Sequence, residues 1–168
     1  MKHLSLFITL LLFAAPLATT QAQSKVAHID TQKLISEMPA VIAAQKELEK
    51  LEKQYTTELE STAKEFQTKA QTYAGDAQNQ TELVNQQRQQ ELEGMQQNIQ
   101  QFRETAAQEL QKKQAEMMRP LYEKARTAIE KVSNAQGFDY VLDASSGGSV
   151  IIAKGKDLMT EVKKELGF

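Results

Sequence analysis

Two long runs of apolar residues at helical spacing occupy the middle of this sequence. Their positions advance almost entirely by three or four residues, which places the apolar side chains on one face of an α-helix. The positions are Leu48, Leu51, Tyr55, Leu59, Ala63, Phe66, Ala70 and Tyr73 in the first run, and Leu92, Met95, Ile99, Phe102, Ala106 and Leu110 in the second. Because the steps depart from a strict heptad, they predict two fairly straight antiparallel helices of roughly 50 to 60 Å each.

The ends of this helical hairpin are predicted from residues that stop and start helices. Gly75 is predicted to end the first helix, and Asn79 with Glu82 resembles a capping box that begins the second. Pro39 and Pro120 lie at the opposite ends, where the hairpin is predicted to join the rest of the chain. Residues 40–119 are therefore predicted to form a long helical hairpin, or tentacle, with its tip near residues 75–81.

Short β-prone segments flank the hairpin on both sides. Thr31 is predicted to cap a brief helix that ends near Pro39, and the Ser/Gly segment 145–148 is predicted to be a turn between two paired strands. Asp157 is predicted to start a last amphipathic helix. The predicted strands are residues 25–30, 139–143 and 149–153.

These elements predict a small head built from both ends of the chain. Residues 23–39 and 120–168 form it, and the hairpin is inserted between the first and second strands. The predicted fold class is mainly α with a small β head (α+β). Both alternating faces of segment 149–153 are apolar, so one face is predicted to meet a neighbouring subunit. The head-strand residues predicted to mediate oligomerisation are Val26, Ile29, Val141, Leu142, Val150 and Ile152.

The first 22 residues have the order of a secretory signal peptide. A basic start at Lys2 precedes a run of about a dozen apolar residues, and small residues precede a predicted cleavage site after Ala22. The alternative is a membrane anchor, but such a run spans only about 18 Å as a helix, against the ~30 Å of a bilayer core. Export from the cytosol is therefore predicted, and the absence of cysteine suits an oxidising compartment.

The composition provides few groups for catalysis. The chain has no cysteine and two histidines, so thiolate chemistry is excluded and a histidine metal site is not predicted. Asp30, Asp139 and Asp143 lie at strand ends, where aspartates usually cap turns. The Gly-rich segment 145–149 lacks the Gly-Lys-Ser/Thr of a phosphate-binding loop. We predict no catalytic residue, no metal and no cofactor, and hence no enzyme.

The ordered set of motifs resembles the Skp (OmpH-like) periplasmic chaperones along essentially the whole chain after the predicted signal peptide. The resemblance is carried by the opening strand 26–30 with Pro39, by the block 120–124 leading to residues 137–143, and by the ending around Asp157 and Thr160. It implies a homotrimer whose strands build a central body, with three tentacles around a cavity. It also implies an ATP-independent holdase that binds unfolded outer-membrane and other envelope proteins and prevents their aggregation.

The charge of the hairpin limits what this resemblance implies. Residues 40–119 contain ten basic and thirteen acidic side chains, a net charge of −3, whereas well-known members are basic. Binding to lipopolysaccharide or to an anionic membrane surface is therefore not carried over to this chain, and nucleic acid is not a predicted partner.

Two questions remain open from the sequence. Apolar residues of the distal hairpin could contact a client protein or could pack the two helices together, and packing is favoured. These candidate client contacts are Phe66, Tyr73, Leu83, Val84 and Met95. The alternative function is a structural adaptor or spacer, which would dock a fixed envelope partner through the tip of the hairpin.

Overall fold

The computed structural model describes residues 24–147 and 150–168, and the predicted signal peptide lies outside them. The elements are β1 (Val26–Ile29), α1 (Thr31–Glu37), α2 (Pro39–Asp76), α3 (Glu82–Gln136), β2 (Tyr140–Asp143), β3 (Lys156–Asp157) and α4 (Met159–Leu166). A 3-10 turn at Ala77–Asn79 joins α2 to α3. The long hairpin is inserted between β1 and β2, so the predicted fold class is confirmed.

The two hairpin helices are unequal in length. Helix α2 has 38 residues and α3 has 55, which correspond to about 57 and 83 Å. The predicted turn boundaries are wrong by a few residues. Gly75 lies inside α2, and Thr81 rather than Asn79 caps α3 by accepting a hydrogen bond from the Val84 amide at 3.3 Å. Asn79 lies in the 3-10 turn, where its side chain donates to Asp76.

The prediction that a helix ends at Pro120 is also wrong. Helix α3 continues through Pro120 as far as Gln136. Pro120 and Glu116 are exposed, so water can hydrate the Glu116 carbonyl that loses its helical donor. Because one helix belongs to both the hairpin and the head, the root of the second arm is continuous with the head.

The strands form a three-stranded parallel sheet in the order β2-β1-β3. Val26 pairs with Tyr140 on one side of β1, and Ala27 pairs with Lys156 on the other. The predicted β-hairpin between residues 139 and 153 is therefore wrong. Residues 150–153 form no strand, and Ser149 lies outside the described residues. A segment that is apolar on both sides needs two covering surfaces, and residues 24–147 and 150–168 leave both Ile151 and Ile152 exposed.

Aspartates accept backbone hydrogen bonds at the start of both short helices of the head. Asp30 rather than the predicted Thr31 caps α1, because its carboxylate accepts a hydrogen bond from the Lys33 amide at 2.8 Å. Asp157 lies in β3 and accepts a hydrogen bond from the Met159 amide at 2.9 Å, where α4 begins. The last helix therefore starts two residues later than predicted.

The hydrophobic core lies in the head, at the root of the hairpin. It joins the inner face of the sheet to α1, α4 and the head ends of α2 and α3. Its buried residues are Ala27, Ile29, Leu34, Met38, Val41, Ala44, Met118, Ala125, Ala128, Val132, Leu158 and Val162. Residues from both ends of the described chain meet here, so the head is stabilised by contacts between segments far apart in sequence.

Two glycines, one inside α3 and one directly after its end, are expected to respond oppositely to alanine. A methyl group at Gly94 would meet nothing within 4 Å, which rules out close approach of the two arms as its role. Gly94→Ala should therefore stabilise the protein by about 0.5–1 kcal/mol. Gly137 has a φ of 69° and ends α3 in the left-handed region, so Gly137→Ala should destabilise it by about 1 kcal/mol.

Urea unfolding followed by far-UV circular dichroism would measure both changes, with each alanine variant serving as the control for the other. A destabilised Gly94→Ala variant would contradict the expectation and would indicate that the helix uses the flexibility of this glycine.

Candidate functional site

The two arms pack against each other along the predicted apolar face. Every predicted position is at least half-buried, and Ala106 is buried. The rings of Tyr55 and Phe102 meet edge to face, with centroids 6.0 Å apart and planes at 78°. This is a favourable aromatic geometry. The apolar residues of the two runs therefore hold the hairpin together, as the favoured interpretation of their spacing predicted.

A polar network joins the arms near the tip. The Lys69 ammonium and the Tyr73 hydroxyl both donate to the Glu91 carboxylate, at 2.6 Å each. The guanidinium of Arg88 lies 4.7 Å from the centre of the Tyr73 ring and donates to Asp76 at 3.0 Å. We call these five residues the tip clasp. Each of these contacts joins a residue of α2 to a residue of α3. The clasp therefore fixes how far one arm is shifted along the other.

The charges of the tip clasp stabilise one another. The hydrogen bond from Lys69, followed by that from Tyr73, lowers the pKa of Glu91 below its ordinary value. The hydrogen bond from Arg88 is the largest cause that lowers the pKa of Asp76. In return, the hydrogen bond to Glu91 raises the pKa of Lys69. All these groups therefore favour their charged forms in the folded hairpin.

Acid is expected to loosen the tip clasp. Groups whose folded pKa is lowered contribute stability above their unfolded pKa, near 4, and this stability is lost as the pH falls through the folded value. Carboxyl carbon NMR titration should therefore place Asp76 and Glu91 below ordinary carboxylates. In Arg88→Met the pKa of Asp76 should rise, whereas that of Glu91 should change less. An unchanged Asp76 titration in this variant would contradict the assigned contact.

Four of the five candidate client contacts lie at the contact between the arms. Phe66, Tyr73, Val84 and Met95 are half-buried, and Tyr73 belongs to the tip clasp. Leu83 differs, because 65% of its surface is exposed at the start of α3. Of this set, Leu83 is the residue with most of its apolar surface free for another molecule.

One face of the head sheet is apolar and exposed. Paired residues of parallel strands point to the same side, so Val26, Tyr140 and Leu142 share the face opposite the core, and all three are exposed. Ile151 and Ile152 add a further exposed apolar segment, at 96% and 73%. We call these five residues the head face. Tyr140 and Ile151 are not among the predicted oligomerisation residues, although the alternation of β2 could have indicated Tyr140 and Ile151 lies in the segment predicted to be apolar on both faces.

The other predicted oligomerisation residues lie in different surroundings. Ile29 is only 1% exposed and belongs to the core of its own chain. Val141 is half-buried and packs against that core, while Val150 is half-buried. The predicted set is therefore divided between the inner and the outer face of the sheet, because successive side chains of β1 and β2 point to opposite faces.

The three strand-end aspartates act as caps and turn acceptors. Asp139 accepts a hydrogen bond from the Lys25 amide at 2.8 Å, and Asp143 accepts one from the Thr31 hydroxyl at 2.7 Å. Desolvation alone would raise the pKa of Asp143, but hydrogen bonds from Thr31 and Ser145 outweigh it and lower the pKa. Within residues 24–147 and 150–168, no group of three or more potential metal ligands comes together.

None of the helices in the described part of the chain has the length and apolar character needed to cross a membrane.

Comparison with known proteins identifies similar sequences and structures. The family described as "Outer membrane protein (OmpH-like)" matches residues 25–166. The fold is similar to the crystal structure of a candidate outer membrane chaperone (OmpH-like) from Caulobacter crescentus CB15, with a TM-score of 0.76 and 16% sequence identity. That match covers 86% of this chain and 85% of the Caulobacter chain. Among curated proteins, no significant match is found.

Proposed function

The chain belongs to the OmpH-like family, and on this basis we propose that it is an ATP-independent periplasmic holdase for unfolded outer-membrane and other envelope proteins. It would work by confinement. Client chains would be held between arms through many weak contacts, which keeps their exposed apolar strands from meeting one another. No catalytic turnover is required for such a function.

The observation that carries this proposal is the pairing of long arms with an uncovered head face. Parallel sheets are almost always covered on both faces, and here the described residues of the chain cover one face only. A neighbouring copy covering the face of Val26, Tyr140 and Leu142 would complete the head. We propose that three copies assemble in this way as a homotrimer, so that their arms project from one body and enclose a cavity.

The arms are suited to hold a client without becoming a fixed partner of it. Their apolar residues are largely used between α2 and α3, while glutamines and charged residues dominate the exposed surface. Contacts to an unfolded chain would therefore be weak and distributed. The proposed division into a head of residues 23–39 and 120–168 and a tentacle of residues 40–119 follows the same logic, with α3 passing through the boundary.

Aggregation of an unfolded client tests the proposal. A denatured outer-membrane β-barrel protein should scatter less light on dilution when the protein is present in several-fold molar excess, without added ATP. Bovine serum albumin at the same concentration controls for general crowding. Unchanged aggregation at this excess would overturn the proposed holdase function.

The exposed Leu83 beside the tip favours a second candidate function, that of a structural adaptor. An adaptor would bind one fixed envelope partner through the tip, whereas a holdase would contact many unrelated clients along its arms. Photocrosslinking from Leu83 and from mid-arm Gln97 distinguishes the two. A single partner captured from Leu83 alone would support the adaptor.

A further inference from the structure

A cavity of about 620 Å³ lies between α2 and α3 on the head side of the hairpin. A largely exposed strip of α2, from Lys50 to Thr62, continues from it along that helix alone. The cavity and the strip share Lys50 and Gln54. Together they form what we call the proximal groove, which extends along residues 46–62 of α2 and includes Lys113 and Met117 of α3.

The charge of the proximal groove is opposite to that of the arm around it. Four lysines line it, against only two glutamates, Glu47 and Glu58. The arm as a whole has a net charge of −3. Among the carboxylates of the described residues, none lies within 4.0 Å of the Lys46, Lys50 or Lys53 ammonium groups. Positive charge is therefore available here for an external anionic group.

The fourth lysine already has a partner within its own helix. Lys113 lies 3.5 Å from Glu116, one turn further along α3. Both side chains are about half exposed, so this contact is weak and readily exchanged. An external carboxylate could therefore engage Lys113 as well as the three lysines of α2.

The inner end of the groove is apolar. Leu48, Leu51 and Met117 line the cavity between α2 and α3 and are half-buried. Residues 46–62 of α2 extend over about 24 Å, which matches roughly seven residues of extended polypeptide. The groove thus has the length of a short strand, with an apolar end for side chains and ammonium groups along its rim.

We propose that the proximal groove binds an extended acidic segment of a client polypeptide, with an apolar side chain over Leu51 and Met117 and carboxylates at the lysines. This inference rests on the proposed holdase function, because it assigns a chemical preference to client binding. The rest of the acidic arm would repel the same segment. The groove would therefore orient clients by their acidic stretches while the arms as a whole remain unselective.

Binding of labelled peptides by the purified protein tests this site. A seven-residue peptide of alternating glutamate and leucine should bind, as measured by fluorescence anisotropy, and its glutamine counterpart should bind roughly tenfold more weakly. The double variant Lys46→Gln with Lys50→Gln should reduce affinity for the acidic peptide by about fivefold to tenfold. Lys64→Gln with Arg103→Gln removes the same charge from exposed positions outside the groove and should leave affinity within about twofold of the unaltered protein.

Charge reversal gives the sharper result. The variant Lys46→Glu with Lys50→Glu should lose the acidic peptide and bind its lysine counterpart instead, which a merely structural role could not produce. Equal binding of the acidic peptide by the unaltered and groove variants would overturn the proposal. So would binding to phosphatidylglycerol vesicles without binding to the peptide, which would indicate a membrane surface instead.

Failure of the groove can be distinguished from failure of the proposed function. Peptide binding needs no aggregating client, whereas the light-scattering assay needs no acidic segment. A protein that suppresses aggregation but binds both peptides equally would overturn the groove alone. A protein that binds the acidic peptide but never suppresses aggregation would overturn the holdase function, and the groove would then not be a client-binding site.

Discussion

Ile152→Asp is expected to leave the protein monomeric in solution. Ile152 is 73% exposed in the single chain, so an aspartate there meets water and should not disturb the fold. In the proposed trimer the same position is covered by a neighbouring copy, where an unpaired carboxylate costs several kcal/mol. Size-exclusion chromatography with multi-angle light scattering would show the mass falling from about three chains to one.

Leu83→Asp provides the matched control for this change. It introduces the same carboxylate at an exposed apolar residue, but near the tip rather than in the head. The control should remain trimeric. Val141→Asp is less informative, because Val141 packs against the core of its own chain and the substitution would destabilise the fold itself. A trimeric Ile152→Asp variant would contradict the proposed role of the head face.

Leu158→Ala is expected to destabilise the head by about 2–5 kcal/mol, a large part of the 5–15 kcal/mol typical of whole proteins. Leu158 is completely buried, and the same core contains Val162 of α4 and Ile29 of β1. Alanine would leave a cavity where the last helix meets the sheet. Urea unfolding followed by circular dichroism would measure the loss.

An exposed leucine separates burial from residue type. Leu83→Ala removes the same atoms from a side chain that is 65% exposed, so it should change stability by no more than about 0.5 kcal/mol. If both leucine variants lost equal stability, the core described for the head would not be the main source of its stability.

Local signals were sufficient to predict the arms. The spacing of Leu48, Tyr55 and Leu59 defines one apolar face of the first arm, and the run that includes Phe102 defines a matching face of the second. Spacing by three and four residues over many turns is typical of a helix. The reversal near residues 75–81 also followed from turn residues, although the cap at Thr81 did not. A helix cap depends on which of several nearby side chains reaches a free backbone amide. Residue spacing alone does not decide this.

The strand pairing could not be predicted in the same way. Segment 149–153 has the composition of a strand, yet β1 pairs instead with Lys156 and Asp157 of the short β3. Parallel pairing joins residues that are far apart in sequence and leaves no turn signal between them. The helix end predicted at Pro120 was wrong for a related reason. Water can replace the backbone N–H that proline lacks only where the helix is exposed, and exposure depends on the tertiary structure.

The sequence by itself determined the helical hairpin, its insertion into a small head and the apolar positions that hold the arms together, because these depend on periodicity and on chain order. Only the tertiary structure decided the parallel sheet, the tip clasp around Tyr73, and the division between inner Ile29 and outer Ile152. Each of these depends on which distant residues meet. Packing between helices and strands determines those contacts, and a local sequence pattern carries no information about it.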